Sequence, residues 1–448
     1  MKNNCLFLYL VFFIGFILHA QVPSNSEQAK QKKTLSLKDA ISLVITNSNQ
    51  AVFANTKVAT SKLTLATVKN NQYPSAKISG QYLQLTNADV NSNLNTGNSA
   101  NGQNALNVSQ ILLGQANVTM PVFNGFKIKS SISASENLYK AETATANHTK
   151  EELAIYVVEL FANLYKSEEM IKLFEENIKS ANQRVNDFKA MVDNGLLARN
   201  DLLKAQLQVS TIQLSLDNAV KNKNVINYQL VTLLNLAENT QIEIDIETVK
   251  SDMAKNQLLT IEAKRNDLEA LSFQKKASEQ GITIAKSAYF PSLALVGGYI
   301  AFDLKNVITV NNAMNFGIGL NYDLASIFKN GKEVKLAKSK VEQTNLAITI
   351  LSDKIKEETQ EAEENYSLSM KQNKVYTQAL DQATENYRIV KDKYDNSLAS
   401  TNDLLEADVQ QLQSKINLAL SQAEIALKYY QLQFASGKLI NSFNLSQK

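Results

Sequence analysis

The sequence predicts a mainly helical chain with a transmembrane β part: two long antiparallel coiled-coil hairpins, and four strands that one chain contributes to a barrel shared with other copies. Three observations carry that expectation. Glycine is almost absent over two very long stretches. The segment "DNGLLARNDLLKA" (Asp193 to Ala205) returns 202 residues later as "DNSLASTNDLLEA" (Asp395 to Ala407), identical at eight of thirteen positions. Between these stretches the apolar period changes from seven residues to two.

Composition sets the frame. With 14 Gly, 4 Pro, no Trp and 2 His in 448 residues, the chain is helix-rich. After "MKNN", Cys5 to Leu18 are almost purely apolar and "LHA" precedes Gln21, the pattern of a secretory signal peptide over 1–20 cleaved after Ala20. Fourteen apolar residues fall short of the roughly 20 that span a bilayer as a helix. Cys5 is the only cysteine, so the mature chain is expected to be held by packing without disulfides. The formal charge of +3 comes from well-mixed signs and gives no nucleic-acid footprint. No later segment approaches a transmembrane helix, so any membrane-embedded part has to be a β-barrel, which satisfies its own backbone hydrogen bonds.

The long helices follow from the glycine gaps. From 127 to 280 the only glycine is Gly195, and from 332 to 436 there is none. In the first stretch Val157, Leu164, Ile171, Ile178, Val185 and Val192 recur every seven residues beside Leu160, Ser167, Phe174, Ala181 and Phe188, a coiled-coil seam. It resumes as Leu202, Val209, Leu216 and Leu230 against Ala205, Ile212, Ala219, Ile226 and Leu233, with Lys223 the one charged intruder. The second half repeats the plan with Val334, Val341, Ile348, Ile355 and Ala362. A four-residue slip then leads to Tyr366, Leu380, Tyr387 and Tyr394. Its return arm reads Leu405, Leu412, Ala419 and Ala426 with Val409, Ile416, Ala423 and Tyr430. Both quoted motifs are then hairpin tips. Gly195 takes positive φ, and Asn200 or Asn402 caps the returning helix with Asp201 or Asp403 at its positive end. Capping alone does not require Leu196 and Leu398 at an exposed turn. A single helix from Phe126 to Asp193 would reach roughly 100 Å.

The strands follow from the period of two. "FGIGLNYDLASIF" (Phe316 to Phe328) alternates Phe316, Ile318, Leu320, Tyr322 and Leu324 with Gly317, Gly319, Asn321, Asp323 and Ala325. Similar alternation runs through "SAKISGQYLQL" after Pro74, "NVSQILLGQANVTM" before Pro121 and "SLALVGGYIAF" after Pro291. Strands of about 9 to 11 residues with one apolar face suit a spanning barrel, a soluble sandwich sheet being the alternative. The smallest spanning barrels need about eight strands, so several chains have to share one. An Asn-rich loop from Thr86 to Asn104 joins the first pair, and a shorter loop near Lys305 to Asn312 joins the second. Lys77, Ser79, Gln81, Asn321 and Asp323 are the expected lumen-facing positions. Tyr73, Phe123, Tyr289 and Phe328, at the helix-proximal strand ends, are the expected interfacial girdle.

Enzymatic constellations are missing from the pattern. His148 lies in the polar run "ATANHTKEE" and reads as a solvated helix residue. Without cysteine in the mature chain, Cys/His nucleophiles and Cys/His zinc sites are excluded. Glu357, Glu358, Glu363 and Glu364 read as solvated faces of heptad helices, and "GK" at Gly331 lacks the rest of a phosphate-binding loop. No catalytic residue, metal ligand or cofactor is expected.

The order of elements now carries a family resemblance: "YPS", a β-hairpin, a long helix, "DNGLLARNDLL", a returning helix, then the whole again from "YFPS" to "DNSLASTNDLL". It resembles the TolC family of outer-membrane efflux proteins over about residues 35 to 436. The resemblance implies a homotrimer with a twelve-stranded barrel in the outer membrane, a twelve-helix periplasmic tunnel, and a small equatorial region to which Gln241 to Glu247 ("QIEIDIE") adds a strand. It implies an exit duct for a tripartite efflux pump or a type I secretion system, with an inner-membrane pump and a periplasmic adaptor as partners and no nucleic acid. On this plan the parts are 1–20 signal peptide, 21–73 N-terminal segment and first tunnel helix, 74–122 first β-hairpin and 123–237 first helical hairpin. An equatorial segment (238–260), a helix (261–290), the second β-hairpin (291–326), the second helical hairpin (327–434) and an equatorial tail (435–448) complete it. Adaptor contacts are implied at Gly195, Leu196, Leu197, Ser397 and Leu398. A periplasmic gate is implied at Asp403 and Glu406, as an acidic ring, and at Asp201 and Tyr394, as a latch. Two departures stand out: Ser397 replaces the glycine of the first tip, and Ala399 stands where some relatives carry a basic gate residue. A periplasmic coiled-coil adaptor is the alternative, although an adaptor would have one hairpin and Gly-rich β domains.

Overall fold

A computed structural model describes residues 31–90, 106–244, 265–305, 308–443 and 445. The signal segment with Cys5, the Asn-rich loop from residue 91, Ile246 and Glu247 of the equatorial strand, and most of the equatorial tail beyond Phe443 lie outside the described residues.

The chain opens with β1 (Gln31–Leu35), α1 (Leu37–Asn47) and α2 (Asn49–Asn70). One helix was expected before the first strand and two are found. Ser48 adopts an extended conformation at the break, and its Oγ accepts from the Ala51 N–H at 3.1 Å to restart the helix. Then come β2 (Ser75–Val90), β3 (Leu106–Asn124), α3 (Lys127–Asp193), α4 (Arg199–Leu233) and β4 (Thr240–Ile244). The second half comprises α5 (Asn266–Lys286), a 3-10 turn (Ser287–Tyr289), β5 (Ser292–Leu304) and β6 (Ile308–Asn321). It closes with α6 (Ser326–Lys329), α7 (Gly331–Asp395), α8 (Thr401–Ala435) and α9 (Leu439–Ser442). The 67 residues of α3 extend roughly 100 Å.

The four membrane-type strands form one antiparallel sheet in the order β2-β3-β5-β6. Two strand ends differ from expectation. β3 runs through Pro121 to Asn124, its register shifting between Pro121 and Phe123 because proline has no N–H for the ladder. β6 stops at Asn321, and the alternation through Leu324 covers a turn in which the Asp323 carboxylate accepts from the Ala325 N–H at 3.0 Å. Asp323 is therefore not a strand position. The registers put Ile78, Tyr82, Leu112, Val118, Met120, Leu295, Phe316, Ile318 and Leu320 on one face. All of them are exposed, Phe316 at 96%. Lys77, Ser79, Gln81, Gln115, Asn117 and Asn315 share the other face.

Each strand continues into a long helix, so the order α2-α3-α5-α7 repeats the order of the sheet. Past the equator the layer becomes α4-α3-α8-α7. At both levels four elements stand side by side with two open edges. Val52, Phe53 and Leu63 are exposed on α2, Leu203, Leu207 and Leu214 on α4, and Leu346, Leu368 and Val375 on α7. α7 is an edge along its whole length, and only Ser369 and Ala383 of its residues are buried.

The largest core lies at the equator, where Ile41, Leu164, Leu230, Ile242, Tyr430 and Ile440 bring α1, α3, α4, β4, α8 and α9 together. β4 is the expected equatorial strand as far as Ile244. Its parallel partner is β1, clamped by Lys32 and Glu243 at 2.8 Å. The α3–α4 seam packs as read, with Phe174, Ala181, Ile212 and Ala219 in one cluster, and Lys223 is accommodated by Glu168 at 3.0 Å. The α8 seam differs. Val409 is exposed while Leu404, Ala407 and Asp408 are buried, because α8 packs on α3 as well as on α7. His148 is also not solvated: its ring stacks on Phe434 at 6.3 Å and lies 3.5 Å from Glu152. Among the acids read as solvated, Glu358 instead holds Arg265.

One buried polar group ties the two hairpins together. Arg184 on α3 donates to both carboxylate oxygens of Asp408 on α8, at 3.0 and 3.1 Å, and to the Tyr387 hydroxyl on α7 at 3.3 Å. Gln208 on α4 adds a donor to Asp408 at 2.9 Å, so all four hairpin helices meet at the Arg184 and Asp408 pair. Asp408→Ala leaves the Arg184 charge buried and unpaired and is expected to destabilise the solubilised assembly by roughly 3–5 kcal/mol, whereas Arg184→Met combined with Asp408→Leu should cost much less. Denaturant titration of the three variants measures the difference. Gly125, at φ +61° between β3 and α3, is equally constrained, since an added Cβ would lie 2.5 Å from the Ser287 carbonyl oxygen. Gly125→Ala should reduce the yield of folded protein, with heat-modified gel mobility as the readout.

Candidate functional site at the paired hairpin tips

The two outgoing helices end alike, bond for bond. α3 ends as the Gly195 N–H reaches the Val192 carbonyl at 3.0 Å and the Leu196 N–H reaches Met191 at 2.8 Å, a Schellman closure with Gly195 at φ +74°. α7 ends identically: Ser397 to Tyr394 at 2.9 Å, Leu398 to Lys393 at 2.7 Å, and Ser397 at φ +61°. The repeated asparagine is explained as well, because Asn194 Nδ2 donates to the Ala190 carbonyl at 2.8 Å and Asn396 Nδ2 to Asp392 at 2.7 Å. These bonds account for "DNG" and "DNS" without any partner.

They do not account for the leucines. Leu196 is 73% exposed and Leu398 is 77% exposed. Gly195 faces open space, with nothing within 4 Å of an added Cβ. Leu197 differs from these neighbours, turning inward against the cluster of Phe188, Ala205 and Leu404.

The caps differ from the expected ones. α4 starts from Ala198 with no side-chain cap, and α8 starts from Ser400, so Asn200 and Asn402 lie inside their helices. Ser400 and Asp403 form a reciprocal capping box: the Ser400 N–H and hydroxyl each donate to Asp403 Oδ2 at 2.8 Å, and Ser400 Oγ accepts from the Asp403 N–H at 3.3 Å. The donors from Ser400, the backbone N–H foremost, hold the Asp403 carboxyl below its ordinary pKa. Because the folded-state value is depressed, this cap is fully formed above the usual carboxylate range and is lost as pH falls through the lowered value. Glu406 is exposed one turn further along the same helix.

Asp201 and Tyr394 are not joined. The Asp201 carboxylate accepts from Lys204 Nζ at 3.2 Å, and the same ammonium donates to Asn402 Oδ1 at 2.9 Å, crossing from one tip to the other. The Tyr394 ring packs on Phe188 at 5.9 Å, and its hydroxyl is buried with no hydrogen-bond partner among the described residues. Lys204, Arg184 and Asp408 were not singled out from sequence, and Asn402 was read only as a cap. The available signal was arginine scarcity: only four arginines occur in the chain, and a residue used so sparingly marks places where its bidentate fork is needed.

Among the described residues no helix is long and apolar enough to cross a membrane. The family model described as outer membrane efflux protein matches residues 79–236 and 259–438. Solved outer-membrane channels share the fold. OprN is 13% identical with a TM-score of 0.74, over 90% of this chain and 89% of that chain. VceC from Vibrio cholerae is 14% identical with a TM-score of 0.72, over 90% and 96%. CmeC from Campylobacter jejuni is 16% identical with a TM-score of 0.73, over 92% and 90%. No curated protein matches. With the family model covering both halves of a chain that twice runs strand pair, long helix, tip and return, this protein belongs to the outer membrane efflux protein family and is an outer-membrane exit duct with a periplasmic tunnel.

Proposed function

We propose that three copies of the chain form a passive duct, and that its periplasmic mouth opens when a periplasmic adaptor, coupled to an inner-membrane pump, seats on the paired tips. The observation that carries this reading is the pair of leucines, Leu196 and Leu398, held outward by identical closures on both hairpins. Small apolar knobs beside Gly195 and Ser397 suit insertion between the helices of a partner. Assembly is supported by the open edges at every level, since four strands cannot close a barrel and three symmetric copies supply twelve. Cargo enters as either small toxins or a secreted protein.

The mouth we infer combines an acidic ring with a lysine bridge. Asp403 and Glu406 share one face of α8, and three-fold symmetry brings six carboxylates towards one axis. In place of the missing basic residue at Ala399, Lys204 supplies the cation that links Asp201 to the opposite tip at Asn402.

Leu196→Asp with Leu398→Asp should abolish export while trimers remain intact on gels, and Gly195→Ser, which copies the second tip, should leave both unchanged. Loss of trimers in the leucine variant would favour a purely structural role. In planar bilayers, Glu406→Gln is expected to lower cation preference while sparing the Ser400 cap. Lys204→Ala should raise conductance and Tyr394→Phe should leave it unaltered, and the opposite pattern would restore tyrosine as the latch.

A further inference from the structure

We propose that the junction between helices and sheet carries a basic collar that binds anionic phospholipid headgroups of the leaflet facing the periplasm, an inference that rests on the sheet being the membrane-spanning part. Within five residues of the strand-proximal ends of α2, α3, α5 and α7, connecting turns included, stand seven lysines: Lys69, Lys127, Lys129, Lys286, Lys329, Lys332 and Lys335. The same zone holds two carboxylates, Asp323 and Glu333. The excess of five positive charges here is larger than the net charge of +3 for the whole chain.

These lysines are all exposed, and none forms an ion pair among the described residues. Further down the helices several lysines are paired, although others such as Lys62, Lys275 and Lys340 form no ion pair among the described residues. Lys140, Lys172, Lys223, Lys354 and Lys391 each hold a carboxylate within 3.4 Å. On α3 the next acid below the collar, Glu136, is engaged by Lys140 at 2.8 Å and also lies in the field of Lys69. Lys127 and Lys129 also stand in the first turn of α3, where the helix dipole favours acids over cations, so the placement is not explained by helix stability. Neighbouring copies do not relieve the charge either. Cyclic symmetry keeps each residue at one height along the axis, so each added copy brings seven more lysines and two more acids to the same level.

The aromatic residues at this height identify the anion as a lipid. Phe328, beside Lys329, is 89% exposed, Tyr73 60%, Phe126, beside Lys127, 57%, and Phe290 48%. Of the expected girdle, Tyr73 and Phe328 are thus exposed, whereas Phe123 packs edge-on against Phe126 and Phe290 at 5.5 and 6.4 Å and is half-buried, as is Tyr289. Directly above it begins the apolar face of the sheet with Leu320, Ile318 and Met120. Aromatic rings at the headgroup boundary with lysines on the aqueous side form a surface complementary to an anionic bilayer interface, and a free phosphate ion would not need the rings.

The test uses the purified full chain in nanodiscs of phosphatidylethanolamine with and without phosphatidylglycerol, native mass spectrometry counting the lipids each assembly retains. Phosphatidylglycerol should be enriched by roughly fivefold per lysine engaged, and the enrichment should shrink as salt rises. The variant Lys127→Gln, Lys129→Gln, Lys329→Gln, Lys332→Gln should lose it, whereas Lys354→Gln with Lys356→Gln should keep it. Equal retention of the two lipids by the unmodified protein, enrichment unchanged in the four-site variant, or complete displacement of the lipid by inorganic phosphate would each overturn the collar. If the four-site variant fails to assemble, the unmodified protein at two salt concentrations decides, salt-independent enrichment counting against the proposal. Failure of the unmodified protein to enter either bilayer would overturn the membrane reading of the sheet and the collar with it.

Discussion

The N–H and C=O groups along the outer edges of β2 and β6 must find partners, because hydrocarbon offers none. From that constraint the rest of the architecture follows. A four-stranded sheet with Ile78, Val118 and Phe316 on one face presents an apolar side and leaves both edges open, and the proposed closure with further copies would pair them. Since every strand runs directly into a long helix, closure of the sheet fixes the spacing of the helices beneath it. The apolar residues left exposed on α2, α4 and α7 are the same edge problem carried down into the aqueous part.

The internal repeat meets this constraint unequally in its two halves. α3 is buried in the equatorial core through Leu153, Val157, Leu160 and Leu164, whereas α7 buries only Ser369 and Ala383. The first hairpin is thus anchored to its own chain, and the second leaves one side of α7 open, the side to which the proposed trimer would bring a neighbour. The tips differ in the same sense. Gly195 occupies its positive-φ position without strain, while Ser397 holds the same conformation against its Cβ. The second tip offsets this with the Ser400 and Asp403 capping box, which the first tip, starting from Ala198, lacks.

Much of this was legible in the sequence because it rests on periodicity. The heptads of α3 and the alternation of β2, β3 and β5 are local patterns repeated often enough to survive single exceptions such as Lys223. What was not legible depends on contacts distant in sequence. β1, "QKKTL", has no apolar alternation and is a strand only because β4 lies beside it. Asp408 carries no local signal in its heptad helix, and its burial is set by Arg184, 224 residues away. Asn402 was read as a cap because Ser400 was not recognised as the earlier start, and β6 was extended into a turn because Tyr322 and Leu324 continue the alternation after the ladder ends. At the site, the exposed leucines and the tip closure were readable, whereas Lys204, which holds Asp201 on its own helix, reaches Asn402 across the two tips, 198 positions away, and left no local pattern.

The position of the Arg184 and Asp408 pair decides how the proposed mouth can move. Breaking this pair leaves a buried charge, so an opening that does not unfold the tunnel has to keep it. Below it the two hairpins of a chain are held by the small cluster of Phe188, Ala205 and Leu404, with Tyr394 against it, and by the exposed Lys204 to Asn402 bond. Those contacts are individually weak and lie within about four helical turns of the tips. In the proposed mechanism, motion driven by a partner at Leu196 and Leu398 would be confined to this terminal segment and to the seams between chains, with the four-helix junction at the Arg184 and Asp408 pair as its fixed end.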